Sequence, residues 1–336
     1  MSARGTIRVA LDAMGGDRGP EVTVEGAVNA ARELGSTVIL VGDEKVLAGQ
    51  LARHHPHGLS LSIRHAPEAV EMGESPMAAL RKKRHSSIRV GLDLVKRGDA
   101  EAFVSAGNTG AVMATALVVL GPLPGVERPA IAVVLPTLTH RAVLLDVGAN
   151  VDCKPRHLLQ FAIMGNVYAR DILGQPRPRV GLLSIGEEES KGNELTREAF
   201  KEMEDEPSLN FIGNVEGRDV FGGTADVIVC DGFTGNVALK ISEGLAETMF
   251  HLLREELKKD LRGRAGSLLL IPTFRRFKRR IDSSEFGGAP LLGVNGVCMI
   301  SHGRSTEKAI RNAIRAAEGC VSNTVIAHIR EGIAFG

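Results

Sequence analysis

The sequence predicts an α/β protein built on a largely parallel sheet covered by helices. Three observations carry that prediction. Strand-like apolar runs alternate with segments of helical period along the chain. The runs are continuous and β-branched rather than alternating, which marks strands buried on both faces. Most of the runs end in a loop rich in Gly, Asn, Asp or Glu. With 336 residues, one large unit or two fused units are expected.

The apolar runs are IRVAL (7–11), TVILVG (37–42), AFVSAG (102–107), AIAVVL (130–135), AVLLDVG (142–148), RVGLLSIG (179–186) and DVIVCDG (226–232). Helical segments are expected over 20–34, 74–97, 108–120, 155–173, 192–205, 235–259 and 305–330. Pro20 suits a first helical turn, and Ser305 with Lys308 supplies half of a capping box. No internal repeat or low-complexity linker interrupts the pattern.

Composition narrows the function. A formal net charge of +1 argues against bulk electrostatic binding of nucleic acid. The absence of Trp, with Tyr168 the single Tyr, disfavours base stacking on a single strand. Cys153, Cys230, Cys298 and Cys320 show no CxxC spacing, so free thiols in a reducing cytoplasm are expected and no metal site is. The first residues lack an apolar signal-peptide stretch, and no apolar run reaches the ~20 residues of a membrane span.

In open α/β sheets, ligands bind outside the carboxyl ends of the strands. The strand ends here are DAMGGD, SAGNTG, DVGANVD, SIGEEESKGNE and DGFTGN, and all five are expected to converge on one crevice. In the first, Gly15 and Gly16 allow positive φ or close backbone approach, so amide hydrogens can meet an anion. A tight turn with Asp12 and Asp17 as turn or cap residues explains the same string. A dinucleotide site is a third reading, with Asp43 as the ribose-binding acid, although GxGxxG is absent. In the second, Gly107, Asn108 and Thr109 stand at a strand-to-helix junction, where Asn108 either caps the helix or meets a ligand.

Asp146 lies within an apolar run and needs a partner, with Asn150, Asp152 and Lys154 close behind it. Glu187, Glu188 and Glu189 read as a solvated turn, whereas Lys191 before Gly192 and Asn193 resembles a phosphate-gripping Lys outside the P-loop spacing. Asp231 and Gly232 end a strand, Gly235 and Asn236 open a helix, and Lys240 shares a face with Asn236. A capped helix with a surface Lys accounts for that string equally. A second double glycine, Gly287 and Gly288, precedes a strand ending at His302 and Gly303. Residues 266–282 set Leu268, Leu269, Leu270 and Ile271 beside a basic cluster, a pattern suited to an anionic membrane, an acidic protein or a dimer helix. The preceding 244–259 segment reads as its antiparallel partner.

Taken together, IRVALDAMGGDRGPEVTVEGA, VSAGNTGAVMA, LLDVGANVDCKP, LLSIGEEESKGNEL, VCDGFTGNVALK and EFGGAPLLGVNG resemble the PlsX family of acyl-acyl-carrier-protein:phosphate acyltransferases. The resemblance runs from residue 7 to about residue 330. It implies a large three-layer α/β/α fold similar to that of isocitrate dehydrogenases, spanning 1–336, with a protruding helical hairpin at 244–285. It implies a homodimer that uses acyl carrier protein and inorganic phosphate, needs no cofactor, and feeds a membrane glycerol-3-phosphate acyltransferase. It also implies a cytoplasmic protein, peripherally attached to the membrane at Leu268 to Ile271. A nucleotide- or NAD-dependent enzyme of the same fold is the alternative.

Phosphate ionises for the second time close to neutral pH, so it attacks when positioned and needs little help from a base. A thiol leaving group with a pKa of about 8.5 departs without strong acid assistance. The expected site therefore has no Ser-His-Asp triad. Gly15, Gly16, Gly107, Lys191 and Lys240 are the expected phosphate ligands. Asn108, Asn193 and Asn236 are the expected donors to the thioester oxyanion, with His302 secondary. Asp12, Asp17, Asp146 and Asp231 are each expected to orient a Lys, an Arg or a backbone N–H.

Overall fold

The computed structural model describes residues 6–259, 266–267, 269–274, 276–277 and 287–335. Its strands are β1 (Arg8–Asp12), β2 (Thr37–Gly42), β3 (Leu61–His65), β4 (Ala102–Ser105), β5 (Ala130–Pro136), β6 (Arg141–Leu145), β7 (Arg179–Leu183), β8 (Asn210–Val215), β9 (Val227–Val229), β10 (Ala289–Leu292) and β11 (Val297–Ile300). Its helices are α1 (Pro20–Leu34), α2 (Glu44–Ala52), α3 (Pro76–Lys82), α4 (Ser87–Arg97), α5 (Thr109–Val119), α6 (Pro155–Leu173), α7 (Glu194–Glu204), α8 (Gly232–Lys258), α9 (Glu307–Ser322) and α10 (Val325–Phe335).

All eleven strands join one sheet, in the order β3-β2-β1-β4-β11-β10-β5-β6-β9-β7-β8. Two apolar cores cover its faces. Val9, Leu11, Val104, Val143 and Leu145 point to one face, against α1, α6, α7, α9 and α10. Ala10, Phe103, Ala142 and Leu144 point to the other, against α4, α5 and α8. The period-two split of each apolar run between two cores is what a strand buried on both sides requires. The result is the expected three-layer α/β/α fold.

Three details depart from the sequence reading. The expected helix over 74–97 is two helices, broken between Lys82 and Ser87, and the expected helix over 305–330 breaks at Asn323 and Thr324. The short edge strands β3 and β8 escape the apolar-run search because one side of each is open to solvent. Helix α2 escapes it because only Leu47 is buried.

Strand direction matters most for the site. Pairing is parallel from β3 to β11 and again from β6 to β8, but antiparallel across β11-β10-β5-β6. The second parallel block therefore runs opposite to the first. The carboxyl ends of β1, β4 and β11 lie on one edge of the sheet, and those of β6, β7 and β9 lie on the other. The five glycine-rich loops do not converge on one crevice within a chain; they form two groups.

An ion-pair cluster around buried Asp226, with its partners partly exposed, ties the β5–β6 turn to β7 and β9. Asp226 accepts from Arg179 Nε at 3.0 Å and from the Arg179 backbone N–H at 2.8 Å. His140 Nε2 lies 2.6 Å from the same carboxylate. Burial pushes the Asp226 carboxyl up, but the Arg179 hydrogen bonds and charge pull it below its ordinary value overall. A carboxyl depressed in the folded state stabilises fully above its unfolded pKa of ~3.9, and that contribution is lost as pH falls through the folded value. Asp226→Asn is expected to lower the melting temperature at pH 7 and to close the gap to wild type in acid. Thermal melts across pH check this, and a gap constant with pH would refute it.

Candidate functional site

The first group of loops is locked by register. Asp12 pairs with Ser105, and Ser105 pairs with Ile300, so residues 13–17, 106–110 and 301–305 leave the sheet side by side. The Asp17 N–H donates to the Gly303 carbonyl at 2.8 Å, and the Ser301 N–H donates to the Ser105 carbonyl at 2.8 Å. Beneath them Ser105 Oγ donates to Asp12 Oδ2 at 2.7 Å and accepts from the Gly107 N–H at 3.0 Å. Asp12 is fully buried. Burial raises its pKa, and hydrogen bonds from Ser87, Ser105 and the Met14 and Gly15 amides only partly offset this.

The opening double glycine has a steric reason. A Cβ on Gly15 would stand 2.5 Å from Asp12 Oδ2 and 2.8 Å from the Gly107 nitrogen. Gly16 holds φ +99°, which a side chain disfavours. Three helices, α1, α5 and α9, start from these loops, each presenting its positive end. Asn108 caps α5 by accepting from the Ala111 N–H at 3.0 Å. Its amide also donates to the Met72 carbonyl at 2.9 Å and the Glu74 carbonyl at 2.8 Å, holding the 71–75 loop over the group. Asn108 is thus a cap and a loop anchor, and its side-chain amide is already engaged.

Gly19 begins α1 without a side-chain cap. A depression beside it is lined by Gly15, Gly16, Arg18, Ala106, Gly303 and Ser305. Its ≈ 10 Å³ has room for about one water. Arg18 and Ser305 are absent from the residues expected above, although Arg18 follows DAMGGD directly. Ser105, the first residue of SAGNTG, is likewise the structural hub of the group. His302 is exposed, and its Nδ1 accepts from the Arg304 N–H at 3.1 Å. Asp17 is exposed beside Gly303.

The second group is a compact joint on the opposite edge. Asp146 accepts from the Ile131 and Ala149 N–H groups at 3.0 Å, and from the Asn150 N–H at 2.6 Å. The Asn150 amide adds a bond at 2.9 Å. Gly232 donates to the Asn150 carbonyl at 2.7 Å, and Asp231 caps α8 through the Thr234 N–H at 2.9 Å. A Cβ on Gly235 would overlap the Asp146 carbonyl oxygen. Asn193 caps α7 through the Thr196 N–H at 2.9 Å. Asn236 and Lys191 are exposed, and Lys240 pairs with Glu243 at 2.7 Å on the open side of α8. Among the described residues no hydrogen bond or ion pair joins this group to the first. Lys191 therefore leaves the sheet at the opposite edge from Gly15 and Gly107, whereas Lys240, two turns into α8, lies back over the sheet beside Leu239 and Ile241. Of the expected partners, Asp12, Asp146 and Asp231 take backbone N–H groups rather than a Lys or Arg, with hydroxyl and amide donors added.

Two further side chains are accounted for by their surroundings. Asp43 caps α2 through the Val46 N–H at 3.0 Å, which uses the acid that the dinucleotide reading needed. Burial drives the Cys153 thiol up to about 11, so it is no nucleophile at neutral pH.

The match to known proteins runs nearly the whole chain. Residues 7–328 match the family described as fatty acid synthesis protein. The chain belongs to that family. A phosphate acyltransferase from Geobacter sulfurreducens is 55% identical over 325 residues, covering 97% of this chain and 94% of the relative. One from Syntrophotalea carbinolica is 56% identical over 319 residues, covering 95% and 92%. A phosphotransacetylase structure from Streptococcus pyogenes superposes with a TM-score of 0.63 at 19% identity, covering 94% of each chain, and shows a shared fold. The family places the chain among the acyltransferases that move an acyl group to phosphate.

Asp12 gives the group a testable electrostatic signature. A carboxyl raised in the folded state supports folding below its unfolded pKa of ~3.9, and that support is lost as pH rises through the folded value. Asp12→Asn is therefore expected to melt higher than wild type at pH 7, with the difference vanishing near pH 4, while turnover falls because Ser105 and the Gly107 amide lose their anchor. A variant that melts lower at pH 7 would refute this.

Proposed function

We propose that the chain transfers a long acyl group from the thioester of an acyl carrier protein to inorganic phosphate at the Gly15–Gly107–Gly303 group. The observation that carries the reading is the register of β1, β4 and β11, which gathers three glycine-bearing loops and three helix starts around Arg18. Amide hydrogens and helix ends favour an anion there, and Arg18, exposed and paired with Glu21 at 3.2 Å, is a cation that can turn to it. A phosphate oxygen attacks the thioester carbon. The carbonyl π electrons move to oxygen, giving an oxyanion that backbone N–H donors stabilise. The oxyanion then re-forms the carbonyl as the C–S bond breaks, and the leaving thiolate takes up, through water, the proton that hydrogen phosphate releases on becoming the acyl phosphate. The products are acyl phosphate and the free carrier thiol.

The same reading includes a homodimer and a peripheral membrane contact. Exposed Val237, Ile241, Leu245, Met249 and Leu252 form an apolar row along α8, which a second copy would cover. A phosphate role for Lys191 requires that second copy, since it follows β7 at the opposite edge of its own chain. Phe250 of α8 packs on Phe277 with centroids 5.8 Å apart, consistent with a helical hairpin. Leu269 is 83% exposed beside exposed Leu270 and Ile271, whereas Leu268 lies outside the described residues. No helix among the described residues is long and apolar enough to cross a membrane.

The test is to mix acyl carrier protein thioester with phosphate and measure free thiol and acyl phosphate. Both are expected, in equal amounts; thiol without acyl phosphate would show hydrolysis and overturn the reading. Arg18→Ala is expected to raise KM for phosphate about tenfold or more, the loss of one charge-assisted contact.

A further inference from the structure

Beneath α8 lies a cavity of ≈ 200 Å³ that extends to Leu135, near the carboxyl end of β5 and so toward the edge where the Gly15 group leaves the sheet. Leu144 and Leu183 line it from the sheet, Val220 and Phe221 from the 216–225 loop, and Ala238 and Leu239 from α8. Phe221 is 37% exposed at the rim, so the cavity opens to solvent. Its lining is almost wholly hydrocarbon. An apolar cavity of about 150 Å³ stays dry and accepts an apolar guest, because its walls lack dispersion partners while it is empty. Among the described residues no side chain fills this one.

We propose that this cavity is the acyl-chain subsite, holding the distal methylenes of a fatty acyl group during transfer. The proposal rests on the reading of the chain as an acyltransferase. An unbranched chain suits a slot between one helix and a sheet that offers no hydrogen-bonding partner. The chain belongs to a family of fatty acid synthesis proteins, and acyl transfer brings such a chain to the enzyme. The slot lies on the half-buried flank of α8, whereas Val237, Leu245 and Met249 are exposed. Ile241 lines the cavity and also belongs to the exposed row. Chain length therefore becomes a measure of cavity filling, at roughly fourfold in affinity for each buried methylene.

The experiment compares hexadecanoyl and octanoyl thioesters of acyl carrier protein on the wild type and on Ala238→Phe, which narrows the slot. The ratio of their kcat/KM values is expected to fall at least tenfold in the variant. A second measurement covers the case in which Ala238→Phe does not fold. The chain has no Trp, so Phe221→Trp places a single reporter at the rim. Titration with hexadecanoate is expected to shift its emission to the blue and to saturate. An unchanged ratio, or a shift that follows protein concentration and ignores hexadecanoate, overturns the subsite. If the wild type makes acyl phosphate from neither thioester, the acyltransferase reading itself fails, and hexadecanoate binding to the Phe221→Trp variant then stands as a separate result.

Discussion

Gly15→Ala is expected to lower kcat/KM by about a hundredfold or more while leaving a folded protein. The new methyl would press on Asp12 Oδ2 and on the Gly107 nitrogen together, so the first and second loops must part. Those loops carry the amides proposed to hold phosphate. Losing one preorganised donor typically costs about 10²–10³ in kcat. The Asp12–Ser105–Gly107 chain of hydrogen bonds would open at the same time. Overpacking at one loop costs about 1–3 kcal/mol, which a chain of this size survives. Steady-state kinetics and a thermal melt on the same preparation separate the two effects. Wild-type turnover in the variant would remove the Gly15 loop from the site.

Gly235→Ala is expected to act on the fold itself. Gly235 opens the first turn of α8 directly beneath the Asp146 carbonyl, and its Cβ would also approach Cys230 Sγ at 2.8 Å. Neither neighbour can swing aside. The carbonyl belongs to a backbone pinned by four hydrogen bonds to the Asp146 side chain, and Cys230 is buried. The helix must lift from the sheet, and the loss is expected to exceed ~3 kcal/mol, the upper end for overpacking. At ~2 °C per kcal/mol for a large domain, the melting temperature falls by about 6 °C or more. Because α8 also forms one wall of the apolar cavity, long-chain turnover should decline further than stability alone dictates. A melt within a degree of wild type would show that the joint yields more easily than its packing implies.

These two glycines also show how legible the site was. Both stand in loops that composition alone marks as unusual, and both are needed for close backbone approach. Their partners were not legible. Asp12 and Ser105 are far apart in sequence, and only pairing of β1 with β4 makes them neighbours. Lys191 looks like a phosphate ligand by residue type, yet strand direction puts it on the other edge. Part of that reversal was written locally. Four residues separate Pro136 from Arg141, too few for the crossover that parallel strands need, so β5 and β6 had to be antiparallel.

By itself the sequence determined the layers, because periodicity and burial are properties of each segment alone. It also determined which loops carry backbone freedom and charge, since glycine and carboxylate act within a few residues. Only the tertiary structure decided which loops share an edge. That choice rests on β11 returning to pair with β4 and on β10 lying antiparallel between β11 and β5, contacts between residues far apart in the chain. A buried strand presents the same apolar run whichever way it points, so its direction is settled only when its neighbours bond to it.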